Sequence, residues 1–491
     1  MSASSSPRPA TTSTRSYTRG ARILSAGIAA TGLLTLAYFS IASHVLGEES
    51  AKRIDLLWAV MFVIISVIYR PIEQLLSRTI AQRRARGHAE HPLRVPAAIQ
   101  AAFALTFLLA ALVLHEWLVE DVFDGYDSLY DVFLVGTLAY AASYFARGWL
   151  AGHQFFALYG GLVLMEAFAR LCFPLAVAVG IASGQTAVAL GIAAAPLVSL
   201  VVVPAAFVRE REERREALAA RPPHPHEADA ALADAPITAD EAEAGLAGPA
   251  AEGIQEAAAH PSDDLSLRRG TGFAGWVSAI MLSEQTLLNA PVLTVAATSH
   301  DALAGVVFNV LLIARAPLQL FQAIQTSLLP HLAGLDATRS HAAFDRAVRV
   351  TVSAIAAFTA AVALGLLAIG PFVMSHLFGQ HHSYNRFGLA LIGVGMGLHL
   401  VSGTLNQAAL ARDRARAAAC CWGTTAILFL AWMLSSIVSE QLLRTEIGYA
   451  GATALLALSL TLLYRRGPRR EGSTRRPAGA QSASTDRAIA R

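Results

Sequence analysis

Tyr69-Arg70-Pro71-Ile72-Glu73-Gln74-Leu75-Leu76-Ser77-Arg78 ends a long apolar segment that starts near Ile54. Its echo, Ala314-Arg315-Ala316-Pro317-Leu318-Gln319-Leu320-Phe321-Gln322, stands 245 positions later (315 − 70), again with arginine, proline, glutamine and a leucine-rich turn. An arginine inside a membrane-spanning helix costs roughly 2.5 to 3.5 kcal/mol on insertion scales, so it faces a polar interior, a partner or a water-filled path. Two arginines in matching positions point to two similar halves that face one another across something polar.

Outward from these two stretches the chain is apolar almost throughout. It is 55% hydrophobic and only 15% charged, with a mean hydropathy of +0.48. That excludes a soluble enzyme or a nucleic-acid-binding protein and predicts a polytopic membrane protein. A hydrocarbon core about 30 Å thick needs helical runs of about 20 apolar residues, and about twelve are present. Strand-like alternation is absent, so a barrel is not expected.

Six runs, 23–46, 54–76, 95–114, 129–146, 156–181 and 186–208, precede a charged, Ala/Pro/Asp/Glu-rich stretch. Six more follow: 271–297, 303–329, 348–372, 387–411, 417–438 and 447–464. The expected organisation is a basic tail (1–22), an N-lobe (23–208), a linker (209–270), a C-lobe (271–464) and a second basic tail (465–491). The first run is too long for the apolar core of a cleaved leader, so it reads as an uncleaved helix. The linker lacks the apolar residues for a core, and its acidic part, 229–256, reads as solvated or as a dock for a partner. The fold expected is all-α, two six-helix lobes as parallel repeats around a central cavity.

Arginine sets the topology. Arg83, Arg84, Arg86, Arg94, Arg147, Arg339, Arg346, Arg349, Arg412, Arg414 and Arg416, with the cluster in 209–221, flank the spans on one side. Glu48, Glu49, Glu116, Glu120, Asp121, Asp124 and Asp127 lie on the other, where Lys52, Arg53, Arg386 and Arg444 run against the trend. The positive-inside rule then puts both termini and the linker in the cytoplasm of a plasma-membrane protein. Cys172, Cys420 and Cys421 show no CxxC spacing, so no metal site, disulfide framework or cofactor is expected.

Arg315 lies roughly 18 Å into its span at about 1.5 Å per residue, with no acid at i±3 or i±4. Its partner comes from another helix: Glu284, in a permanent ion pair, or an anionic ligand. Arg70 has Glu73 at i+3, so a local pair is open to it as well. Pro71 and Pro317 each free a carbonyl one turn back and predict bends beside their arginines. Gln74, Gln319, Gln322 and Gln325 suit sugars, water or packing between helices. Glu166 and Arg170 are placed to satisfy one another at i,i+4. Gly393, Gly395, Gly397 and Gly403 suit close helix packing. His399, Asn406, Tyr140 and Tyr144 read first as interhelical packing groups.

The six-plus-six plan, the linker and the paired Arg70-Pro71 and Arg315-Ala316-Pro317 segments resemble the multidrug, oligosaccharidyl-lipid and polysaccharide exporter superfamily, over about residues 20–465. The stretch 70–86 and Arg147-Gly148-Trp149-Leu150-Ala151-Gly152 look most like its polysaccharide flippase branch. The resemblance implies a transporter, not an enzyme, that flips an undecaprenyl-pyrophosphate-linked oligosaccharide outward by alternating access for cell-surface polysaccharide synthesis.

On that reading Arg70 and Arg315 hold the pyrophosphate, Gln74, Gln319 and Gln322 meet the substrate, and Glu284 couples transport to an ion. The expected partners are a lipid-linked anionic glycan, membrane lipids and, as candidates, glycan-assembly enzymes. The competing readings are a multidrug exporter of the same fold and a noncatalytic scaffold of a glycan-assembly complex.

Overall fold

The computed structural model describes residues 27, 30–35, 37–88, 93–208, 211, 215, 266–298, 302–378 and 385–466. The expectations for both tails, for most of the linker and for the loop 379–384 lie outside the described residues. Those residues are helical apart from short turns. They form α1 (Ala30–Val45), α2 (Glu48–Ile68), α3 (Arg70–Ala85), α4 (Arg94–Val113), α5 (Asp127–Gly152), α6 (Phe156–Ala178) and α7 (Gly184–Ser199) in the first half. The second half holds α8 (Leu267–Thr298), α9 (Ala302–Ala337), α10 (His341–Phe378), α11 (Arg386–Ala411), α12 (Ala415–Leu434) and α13 (Gln441–Arg465). Among the described residues, eight helices are long and apolar enough to cross a membrane.

The quoted stretch marks a break. Pro71, at the start of α3, has no N–H to continue the ladder of α2, so α2 ends at Ile68 and Tyr69 (φ −100°, ψ −27°) joins the two pieces. The sequence-alike Pro317 behaves differently, because α9 runs unbroken as helix through it. The expected bend is therefore a division of the helix at Pro71, with no such division at Pro317.

Each half packs its own core. Tyr38, Ile54, Leu57, Met61, Phe133, Val188 and Ile192 centre the N-lobe, and Trp422, Tyr449, Phe429, Met396 and Leu400 centre the C-lobe. Close approach depends on missing side chains. A β-carbon at Gly148 would lie 2.9 Å from the backbone of Glu73, so α3 and α5 touch only because that position is glycine. On α11, where close packing was expected, the same substitution at Gly395 would meet the Tyr449 ring at 2.9 Å.

The lobes meet at the arginine-rich end. Ile72, Leu75 and Ile99 of the N-lobe belong to the C-lobe's core, and Gly270 of α8 lies against Ile99 and Val95. Arg78 Nη1 donates to Asp413 Oδ1 at 3.0 Å across this seam, with its guanidinium 5.0 Å from the Phe273 ring. Arg269 of α8 comes within 3.9 Å of the same carboxylate.

Two of the cations that run against the charge bias have local work. Arg53 Nε donates to Asp124 Oδ2 at 2.9 Å and lies 4.5 Å over the Tyr126 ring. Arg444 donates to the carbonyls of Met433 and Val438 just where α12 ends, which sets a positive charge against the negative pole of that helix.

Candidate functional site

α3 turns Arg70, Glu73, Gln74 and Ser77, spaced i, i+3, i+4 and i+7, onto one face. α9 brings Gln325, Thr326 and Leu329 opposite them, and α11 adds Gln407. Together these eight residues line a narrow cleft between the lobes. Its floor is the seam closed by Arg78 and Asp413.

Arg70 is half-buried, and among the described residues it makes no ion pair within 4 Å. The neighbour expected to neutralise it is otherwise engaged. Glu73 Oε1 accepts a hydrogen bond from Tyr159 Oη at 2.7 Å. Glu284 of α8 also acts on Arg70 through space. A carboxylate held by a phenol gives up the geometry for a bidentate pair with arginine. Gln74 is 8% exposed, and its side-chain carbonyl has no hydrogen-bond partner.

Glu284 is mostly buried. Its Oε1 lies 3.6 Å from Nε2 of His399 on α11. The His399 ring, 1% exposed, stacks on Tyr449 with ring centres 6.2 Å apart, meets Trp422 edge-on at 5.6 Å, and has Nδ1 3.3 Å from Tyr449 Oη. The histidine read as a packing group is thus the nearest described partner of Glu284. The side chains of Arg315, Gln319 and Gln322 lie outside the described residues, so the Arg315 to Glu284 pair lies there too. Their positions on α9 still carry information, because 315, 319, 322, 326 and 329 follow spacings of 4, 3, 4 and 3. That register is the helical repeat to which the cleft-lining Thr326 and Leu329 also belong.

Two readings of the sequence change in the N-lobe. Arg147, counted above with the flanking loop arginines, is 8% exposed and pairs with Glu166 from inside α5. Glu166 is accordingly shared between Arg147 and Arg170 and does not belong to the i,i+4 pair alone. Residues missed as site members are Glu73, Ser77, Thr326, Gln407 and Tyr159. The spacing of Glu73 and Ser77 from Arg70 signals the first two, whereas nothing local marks Tyr159, which reaches Glu73 from 86 positions away.

No protein-family model and no curated protein matches this sequence. Solved structures do match in fold. The chain is similar to a point mutant of the Vibrio cholerae MATE transporter VcmN, with TM-score 0.68 and 13% identity over 92% of this chain and 96% of that one. It is similar to a MOP superfamily transporter from Pyrococcus furiosus, described as having a binding pocket of reverse polarity that suggests a different function. There the TM-score is 0.67, with 14% identity over 92% and 94% of the two chains. A multidrug resistance MATE family transporter in an outward-facing conformation matches with TM-score 0.61 and 14% identity over 92% and 94%. The shared feature is the two-lobed, all-helical architecture.

Proposed function

We propose that this chain is a plasma-membrane transporter whose two lobes alternate access to a central cleft, and that its cargo is an undecaprenyl-pyrophosphate-linked oligosaccharide. The observation that carries the reading is Arg70, an intramembrane guanidinium on the cleft wall with no carboxylate within 4 Å among the described residues. Arginine offers the planar, bidentate donors that suit the oxygens of a pyrophosphate. Arg315, Gln319 and Gln322, on the same helix as the cleft-lining Gln325 and Thr326, are assigned to the anionic head and sugar chain of this substrate. The prenyl tail stays in lipid. Both termini face the cytoplasm on this reading, and the seam made by Arg78 and Asp413 is the cytoplasmic gate.

Glu284 is assigned the coupling role, since it stands between the field of Arg70 and the ring of His399. Glu284→Gln should abolish the ion dependence of transport and leave folding intact; unchanged ion dependence removes Glu284 from the mechanism. The second reading, a multidrug exporter, is favoured by this same acid beside the central path and by the likeness to exporters of that kind. The two readings separate in proteoliposomes. Flipping of a fluorescent undecaprenyl-pyrophosphate oligosaccharide supports the first, and uptake of lipophilic cations without such flipping supports the second. Deletion of residues 229–256 without loss of flipping would count against a scaffold role for the linker.

A further inference from the structure

In the N-lobe interior, two buried arginines have a single carboxylate between them at ion-pair distance. Arg147 and Arg170 are 8% and 3% exposed, and they share one carboxylate. Arg147 Nη2 donates to Glu166 Oε2, and Arg170 Nη2 lies 3.5 Å from Glu166 Oε1. Ser143 Oγ takes a further position on Oε2 at 3.1 Å. Among the described residues no second acid lies within 4 Å of either guanidinium. Glu73 lies beyond ion-pair distance of both and accepts a hydrogen bond from Tyr159.

Among the described residues, Arg147 Nε, Arg170 Nε and Arg170 Nη1, which can only donate, and the Tyr140 hydroxyl, which can donate, are buried without a hydrogen-bond partner. Aromatic rings wall the group, with Arg170 4.2 Å over Trp58 and Arg147 4.5 Å over Tyr144. Tyr140 stands one turn before Tyr144 on the same face of α5, their ring centres 6.3 Å apart. A buried guanidinium without a counter-charge is expensive. Water can satisfy N–H donors, but it leaves the excess charge in place. A cation is repelled. An anion answers both needs.

We propose that the N-lobe binds a small monovalent anion of the halide class between Arg170, Arg147 and Tyr140, apart from the residues that line the interlobe cleft. The anion completes the charge that Glu166 alone leaves unbalanced, and in doing so holds α2, α5 and α6 together.

The test uses the purified full-length protein in detergent, with bromide replacing gluconate at constant ionic strength. Trp58 lies against Arg170, so bromide should quench its fluorescence and raise the unfolding midpoint, both saturably; Trp58→Phe identifies the quenched signal. Arg170→Gln keeps the one-to-one pair of Arg147 with Glu166 and removes the excess charge, so it should abolish both responses. Tyr140→Phe removes a single donor to the anion, and should weaken the response about tenfold, as losing a hydrogen bond to a charged group does. Identical midpoints and fluorescence in gluconate and bromide would overturn the proposal, as would an Arg170→Gln protein that responds like the wild type, since the effect would then arise at the surface. If Arg170→Gln does not purify, Tyr140→Phe decides: a weakened response supports the site, an unchanged one refutes it.

Discussion

The two lobes share a plan and differ in how they treat charge. In the N-lobe, buried Arg147 and Arg170 share the one carboxylate of Glu166, with buried Glu73 and half-buried Arg70 beyond ion-pair distance of them. In the C-lobe the corresponding interior holds Glu284 against His399, with Trp422 and Tyr449 around the ring. One lobe is built around a fixed positive excess and the other around a single acid whose partner can be neutral. Under the proposed function this contrast is a division of labour, with the N-lobe attracting the anion and the C-lobe supplying the coupling acid.

The largest effect that tests this contrast is on stability. Glu166→Ala leaves two buried arginines uncompensated and should cost about 3 to 5 kcal/mol, read as a sharp fall in unfolding midpoint. The C-lobe counterpart, Glu284→Ala, removes one contact at 3.6 Å from His399 Nε2 and breaks no arginine ion pair among the described residues, so it should cost about 1 kcal/mol. Equal losses would erase the distinction between the lobes.

A smaller effect is expected from packing. Gly148→Ala forces α3 away from α5 and should cost about 1 to 3 kcal/mol, whereas Gly161→Ala, with open space around it, should be neutral. Thermal unfolding of the two variants side by side checks this.

Smallest is the seam between the lobes. Asp413 is half-exposed, so solvent weakens its pair with Arg78, and Asp413→Asn should shift the balance between open and closed seams by about 1 kcal/mol or less, up to about fivefold. Labelling of a cysteine placed at Ser77, on the cleft wall just above the seam, reads that shift from the arginine-rich side. An unchanged labelling rate would mean that the apolar contacts of Ile72, Leu75 and Ile99 hold the seam alone.

The fold was legible because a membrane imposes length and composition on every helix, and the spans near 95–114, 387–411 and 447–464 reappear within a few residues as α4, α11 and α13. The charge bias was less reliable at single positions. Arg147 looks like a flanking cation by distance along the chain, but Gly148 lets α5 press against α3 and draws that arginine inside, next to Glu166. Arg70 and Pro71 could be singled out because an arginine and a proline are conspicuous in an apolar run. The partners that shape the site could not, since the contact of Tyr159 with Glu73 and of His399 with Glu284 depends on how separate helices are packed. The likeness of Pro71 to Pro317 was real in sequence and divergent in effect, with a divided helix at one and a continuous helix at the other.

The most direct test of the central claim is the flipping rate of a fluorescent undecaprenyl-pyrophosphate oligosaccharide in proteoliposomes, for wild type and Arg70→Ala at matched protein content. Loss of one charge-assisted contact should slow flipping about tenfold or more in the variant, with its unfolding midpoint nearly unchanged because Arg70 makes no ion pair among the described residues. Flipping at the wild-type rate by Arg70→Ala would contradict an arginine-based anion path through the cleft.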